Sequence, residues 1–299
     1  MTLRPILLGT AALALVGCAA PETDDTAVVD DETSQVVEET PATDGKIIVS
    51  SEADLPRTEI TLTKKPSEIV LGDGPEYDML LAELDVVMTY LVENYVIEDD
   101  GTRRGILSAK RAVLTAQGDW DGVLEMTPTL RDLASKPADR EMTGVISDSY
   151  ARAALATGDT SSDAFEAAFR SELSGALSGV DVDIARDQLQ ATGGQMQMMN
   201  AGLLEAALKA QIDPAVEQAG MVIDRGTATS IIGIRQTIDM VPHMPMIAEL
   251  VNARLAEVPE AEVLDLWAPA RPRWLKASKW SSRFGIRAWT VLSKVIGCG

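Results

Sequence analysis

The sequence has few of the side chains on which most enzyme chemistry depends. Its 299 residues include two cysteines and one histidine, and only 4% are aromatic. A single histidine excludes metal sites built from several histidines, and a catalytic triad would have to use His243. The sequence contains no Gly-rich phosphate loop, no G-x-S-x-G, no H-E-x-x-H and no C-x-x-C. We therefore expect a chain that is non-catalytic as it stands, with no catalytic residue and no cofactor.

Basic side chains are also scarce. The chain has 26 Lys and Arg against 46 Asp and Glu, a net charge of −20. Residues 18–269 hold all 46 acids and only 18 of the bases, which gives this stretch a net charge of −28. Such a surface repels phosphates, so nucleic acid is not an expected partner.

The N-terminal residues are predicted to form an export signal. Arg4 supplies one positive charge, and an apolar run from Ile6 follows that is shorter than the roughly 20 residues of a membrane-spanning helix. The run ends at Leu15-Val16-Gly17-Cys18, which resembles the lipobox of bacterial lipoproteins. The alternative is an ordinary signal peptide with an incidental cysteine.

The lipobox resemblance implies a signal peptide over residues 1–17 and a lipid on Cys18 that makes the membrane a partner. A lipidated Cys18 leaves Cys298 without a disulfide partner in the chain. Because residue 19 is Ala rather than Asp, the resemblance favours the outer membrane, facing the periplasm, over the inner membrane.

Residues 18–54 are predicted to be a disordered acidic tether. They are rich in Asp, Glu, Thr and Ala, with Lys46 as their one base, so they have little apolar surface to bury. The tether would hold the folded part away from the bilayer.

Residues 55–268 are predicted to form a helical domain. Apolar side chains recur at helical spacing on several segments; examples are Leu80, Leu84, Leu91, Phe165, Phe169, Leu173, Leu177, Leu204, Leu208, Ile247 and Val251. Breakers such as Gly118-Asp119, Gly158-Asp159 and Gly193-Gly194 separate these segments, and residues 160–163 offer helix N-caps. We expect a mostly α fold, a helical bundle or helical-hairpin array, with at most a small β element near residues 46–71.

Methionines surround the single histidine. Met240, His243, Met244 and Met246 lie close together in the sequence, and thioether and imidazole ligands suit Cu(I). These four residues are therefore a candidate metal site. The alternative is that the methionines fill irregular gaps in the core.

Residues 269–299 differ in composition from the rest. Between Arg271 and Lys294 they carry seven basic residues and three tryptophans, and no acid. They are either a native basic tail, able to lie on an anionic membrane or on the acidic body, or the product of a frameshift. In a shifted register, codons allowed for Phe284 to Thr290 read Ile-Trp-Asp-Ser-Gly-Val-Asp. That string resembles the box carrying the catalytic aspartate of subtilisin-like serine proteases.

Residues 55–268 also resemble the helical N-terminal region of large bacterial subtilisin-like proteases. This resemblance implies an accessory or prodomain-like region, truncated before its catalytic domain, with a protease domain or another periplasmic protein as partner. Two alternatives stay open. One is a complete periplasmic scaffold or binding lipoprotein, and the other is a Met/His copper-binding protein.

Overall fold

The computed structural model describes residues 45–72 and 74–257. The predictions for the signal peptide, Cys18 and the tail at 269–299 lie outside these residues, as does the tether up to residue 44. Within the described ranges, no helix combines the length and the apolar character needed to cross a membrane.

The described chain is mostly α-helical, as predicted. The α-helices are α1 (Pro66–Leu71), α2 (Pro75–Asn94), α3 (Asp100–Gln117), α4 (Trp120–Asp132), α5 (Pro137–Met142), α6 (Val145–Thr157), α7 (Asp163–Ser178), α8 (Val182–Met198), α9 (Ala201–Ala207), α10 (Asp213–Gln218), α11 (Arg225–Met240) and α12 (Met244–Ala256). A π-helical turn, Leu208–Ile212, joins α9 to α10, and a 3₁₀ turn, Val241–His243, joins α11 to α12.

Side-chain caps fix where many of these helices begin. Asp99, Asp119, Ser162, Asp181, Asn200 and Asp224 each accept a hydrogen bond from a backbone N–H of the first turn that follows. The predicted cap of α7 is thereby confirmed at Ser162, and Gly118 and Gly158 end α3 and α6 in the left-handed conformation.

Two small sheets complete the fold. Strand β1 (Ile47–Val49) pairs in parallel with β3 (Tyr95–Ile97), and β2 (Glu59–Thr61) pairs antiparallel with β4 (Val222–Asp224). The small β element expected near residues 46–71 is present as β1 and β2. The tether boundary needs correction, because β1 lies inside the range 18–54 and buries Val49.

An aliphatic cluster forms the core between α1, α2, α3, α9, α11 and the strands. We call it the aliphatic core. Leu84, Leu91 and Val113 lie at its centre with no exposed surface, and Ile231 and Ile232 complete it from α11. Burying each such side chain contributes roughly 1.5–3 kcal/mol.

The predicted break at Gly193-Gly194 is wrong, because α8 runs through both glycines. A Cβ on Gly193 would lie 3.1 Å from Asn252 Oδ1 and 3.4 Å from Val251 Cγ1. The residue is therefore small because α12 approaches α8 closely at this point, and the helix tolerates the glycine pair at a modest cost.

Candidate ligand-binding cleft

A large cleft opens beside the aliphatic core. Its volume is about 1040 Å³, which is close to the upper limit of typical small-molecule sites. Its walls come from α2, α3, α6, α11, the first turns of α4 and α7, and the 3₁₀ turn before α12. We refer to it as the cleft.

Aromatic rings form one wall of the cleft. Tyr150 on α6 lies between Trp120 of α4 and Phe165 of α7, with ring centroids 5.6 Å and 4.8 Å away, and Phe169 is 5.4 Å away. Phe165 and Phe169 are fully buried and support the wall from behind, whereas Trp120 and Tyr150 are partly exposed and line the cleft. We call these four residues together with His243 the aromatic wall.

His243 belongs to this wall. Its ring lies 5.4 Å from Phe165, 5.8 Å from Phe169 and 6.1 Å from Tyr150. Its Nδ1 atom is buried and has no hydrogen-bond partner among the described residues. Burial lowers the pKa of His243, and the nearby Glu166 carboxylate opposes that shift only in part. His243 is therefore neutral near pH 7.

Another part of the cleft lining is polar and firmly held. Arg235 on α11 contacts both carboxylate oxygens of Asp239 at 3.2 Å and donates from Nη1 to the Val70 carbonyl at 2.9 Å. Its guanidinium also lies over the Tyr77 ring, 5.9 Å from the centroid. Burial, with a smaller effect of the Asp239 charge, raises the pKa of Tyr77 to about 12, so its phenol stays protonated at neutral pH.

Local sequence signals place the rings of the aromatic wall. Gly118 adopts φ +72° to end α3, and Asp119 accepts from Gly122 N–H to start α4, so Trp120 emerges at a sharp corner. Ser162 starts α7 three residues before Phe165 in the same way. Gln236 donates to the Ala112 carbonyl at 2.5 Å and ties α11 to α3, and both residues line the cleft.

The four residues of the candidate copper site are only partly brought together. Met240 and His243 line the cleft, whereas Met244 and Met246 are buried on α12 and are not among its lining residues. No group of three or more His, Cys, Asp or Glu residues suited to a metal occurs in the ranges 45–72 and 74–257. Copper binding stays a prediction.

The sequence pattern did not identify Trp120, Tyr150 and the cap at residues 159–163 as one site. Each lies on or beside a predicted helix, but the meeting of α4, α6, α7 and the 3₁₀ turn depends on tertiary packing. One usable signal was present: the aromatic residues are so few that two phenylalanines four residues apart, on the face that also buries Leu173, mark an unusual part of the core.

A second, smaller cleft of about 660 Å³ lies between α4, α5, α6 and α7. Asp148 receives a 2.6 Å hydrogen bond from Thr127 there, and burial raises the pKa of its carboxyl group. Gly144 precedes α6 at φ +86°, and a Cβ at this position would come within 2.6 Å of Thr127 Cγ2. The glycine is thus required both by its backbone conformation and by close packing.

No family model, no curated protein and no solved structure matches this chain. The cleft therefore has to be interpreted from its own chemistry.

Proposed function

We propose that the protein is a lipid-anchored binding protein of the bacterial envelope that holds a small organic ligand in the cleft. The observation that carries the proposal is a cleft of about 1040 Å³ whose lining combines the aromatic wall with polar groups that are held in place. Binding sites are typically concave, with aromatic surface and a few oriented polar groups.

The absence of a catalytic constellation favours binding over catalysis. His243 is the one imidazole in the described lining, and its Nδ1 accepts no hydrogen bond from a serine hydroxyl among the described residues and lies among aromatic rings. In the Ser-His-Asp arrangement, the histidine is hydrogen-bonded both to the nucleophile and to a carboxylate that orients it. The ring is better placed as part of a binding surface.

The anchor is part of the same proposal and rests on the lipobox at Cys18. Lipidation would keep the cleft near the membrane, and Cys18→Ala would abolish incorporation of labelled palmitate in cells. Labelling that persists in Cys18→Ala would contradict this assignment. The role as an accessory region of a subtilisin-like protease stays a prediction, which the reading frame of the gene beyond codon 269 tests.

The cleft can be closed by one substitution. Ser147 lies on α6 and lines the cleft, so Ser147→Trp places a large ring inside it. In a thermal-shift screen of small organic compounds, we expect compounds that raise the Tm of the wild-type chain to have no effect on Ser147→Trp. A ligand at about 100 times its Kd adds roughly 2.7 kcal/mol to the free energy of unfolding, which is readily seen as a change in Tm.

Ala156→Trp is the matched control, since Ala156 is exposed on the same helix and lines neither cleft. It should respond to each compound as the wild type does. Equal responses in Ser147→Trp and Ala156→Trp would place binding elsewhere and overturn the proposal.

A further inference from the structure

The charges around the cleft are unbalanced. Two arginines and four carboxylates occur among its described lining residues, a net charge of −2. The carboxylates are Asp78, Asp163, Glu166 and Asp239. Asp239 is paired with Arg235, whereas the other three take part in no ion pair within the described ranges.

Arg235 is already engaged by protein groups, and Arg111 exposes little surface to a ligand. Arg235 is held by Asp239 and by the Val70 carbonyl, and its guanidinium face lies over Tyr77. Arg111 is only 7% exposed, and its charge acts on the buried Asp148 carboxyl group. An anionic ligand would have to displace the contacts of Arg235 or reach the nearly buried Arg111, and it would approach three carboxylates that form no ion pair within the described ranges.

The aromatic wall offers the complementary surface. Trp120 and Tyr150 line the cleft with their ring planes inclined at 57°, so together they form an angled corner of π surface. A cation within about 6 Å of an aromatic ring centroid is attracted by the electron-rich face of the ring. His243, being neutral, adds no repelling charge.

The acids lie on the same side as this corner. Asp163 and Glu166 are three residues apart on the first turn of α7, so they share one helix face, and both are exposed. Phe165, between them, packs against Tyr150 at 4.8 Å, and the Glu166 charge reaches His243. The acids therefore lie next to the aromatic wall rather than on a remote surface.

We infer that the ligand of the cleft is an organic cation with a substituted ammonium head, bound between the aromatic corner and the α7 carboxylates. This inference rests on the proposed function and names its ligand class. The rings of Trp120 and Tyr150 contact the alkylated head, and Asp163 and Glu166 supply the opposite charge. The volume of about 1040 Å³ leaves room for an apolar body beyond the head.

Three probes of nearly equal shape test the charge preference: choline, the neutral 3,3-dimethylbutan-1-ol and the anionic 3,3-dimethylbutanoate. Affinities are measured by NMR titration of the full-length chain. We expect choline to bind about tenfold more tightly than the neutral probe, with the anion weakest. Benzyltrimethylammonium should bind more tightly than choline because its ring adds apolar contact, and added salt should weaken both cations.

The double variant Asp163→Asn/Glu166→Gln tests whether these two carboxylates cause the preference for a cation. Both residues are exposed, so the nearly isosteric change leaves the fold intact, and we expect the advantage of choline over the neutral probe to fall by about fivefold or more. The matched control is Asp187→Asn/Glu93→Gln, two exposed acids that do not line the cleft, and it should behave as the wild type.

The outcomes separate this inference from the proposed function. Equal binding of choline and the neutral alcohol, lost in Ser147→Trp, overturns the cation preference and leaves a binding cleft. A choline preference that survives in Asp163→Asn/Glu166→Gln overturns the placement of the charge. If none of the four probes binds and no compound distinguishes Ser147→Trp from Ala156→Trp, both the inference and the proposed function fail.

Discussion

The aliphatic core and the aromatic wall are built from different side chains. The core is made of Leu, Ile, Val, Met and Ala, with Tyr77 and Tyr95 only partly buried against it. The aromatic wall holds four of the seven Phe, Trp and Tyr residues in the described chain, together with the one histidine of the sequence. More than half of the aromatic residues in the described part of the chain therefore lie at or behind one side of the cleft. The side chains of the aliphatic core stabilise the fold, whereas those of the aromatic wall also shape the surface of the cleft.

The largest expected effect on the free energy of unfolding comes from truncating one large buried side chain in the aliphatic core and one in the aromatic wall. Phe169→Ala should lower the free energy of unfolding by about 3–5 kcal/mol, and Leu84→Ala by about 2–5 kcal/mol, since both side chains are fully buried. Urea unfolding measures both losses. The milder Phe169→Leu remains folded if Phe169→Ala does not.

The two variants should differ in binding. Phe169 supports Tyr150 and His243, so its loss should weaken choline binding, whereas Leu84→Ala should leave the affinity unchanged while the protein is folded. If Leu84→Ala weakened binding as much as Phe169→Leu, the two regions would not be separable.

A glycine at the start of α6 gives a smaller effect on stability. Gly144→Ala places a Cβ at φ +86°, within 2.6 Å of Thr127 Cγ2 and 2.7 Å of Asp148 Oδ2, and should cost about 1–3 kcal/mol. Gly175→Ala on α7 is the control, because nothing lies within 4 Å of its Cβ and the change should stabilise by about 0.5–1 kcal/mol. Thermal unfolding of both variants shows whether each change lowers or raises the stability. A Gly144→Ala variant as stable as the wild type would show that this turn can relax around the added Cβ.

The smallest expected effect is the pH dependence contributed by His243. Burial lowers its folded pKa below the ordinary value of 6.5, so between these two values the unfolded chain binds more protons than the folded chain. This contribution to stability is therefore present above pH 6.5 and is lost as the pH falls through the folded pKa. His243→Gln should flatten the pH dependence of stability in the range just below the ordinary histidine pKa.

Because His243 is the single histidine of the chain, its NMR titration needs no further assignment. An imidazole pKa at or above 6.5 would contradict its burial in the aromatic wall. A pH dependence of stability that is unchanged in His243→Gln would also contradict the burial of His243.

The comparison also shows which features of the structure can be predicted from sequence patterns. Helical periodicity correctly placed Leu84 and Leu91 of the core and Phe165 and Phe169 of the wall, because one helix face settles whether a side chain is buried. The strands β3 and β4 were not predicted, since three-residue strands carry almost no periodic signal and their partners are distant in sequence.

The cleft itself could not be predicted from sequence patterns, for a related reason. Periodicity shows that a helix has a buried face but does not say which helix covers that face. Trp120 reaches Tyr150 because two capped helix starts and a 3₁₀ turn meet there, and that meeting depends on contacts between distant segments.

The most direct test of the central claim, that the aromatic wall is a binding surface, is the imidazole signal of His243 during addition of choline. We predict a saturable chemical-shift change of His243 that follows the same binding curve as the Trp120 indole signal and disappears in Ser147→Trp. Choline binding that leaves both signals unmoved would contradict the claim.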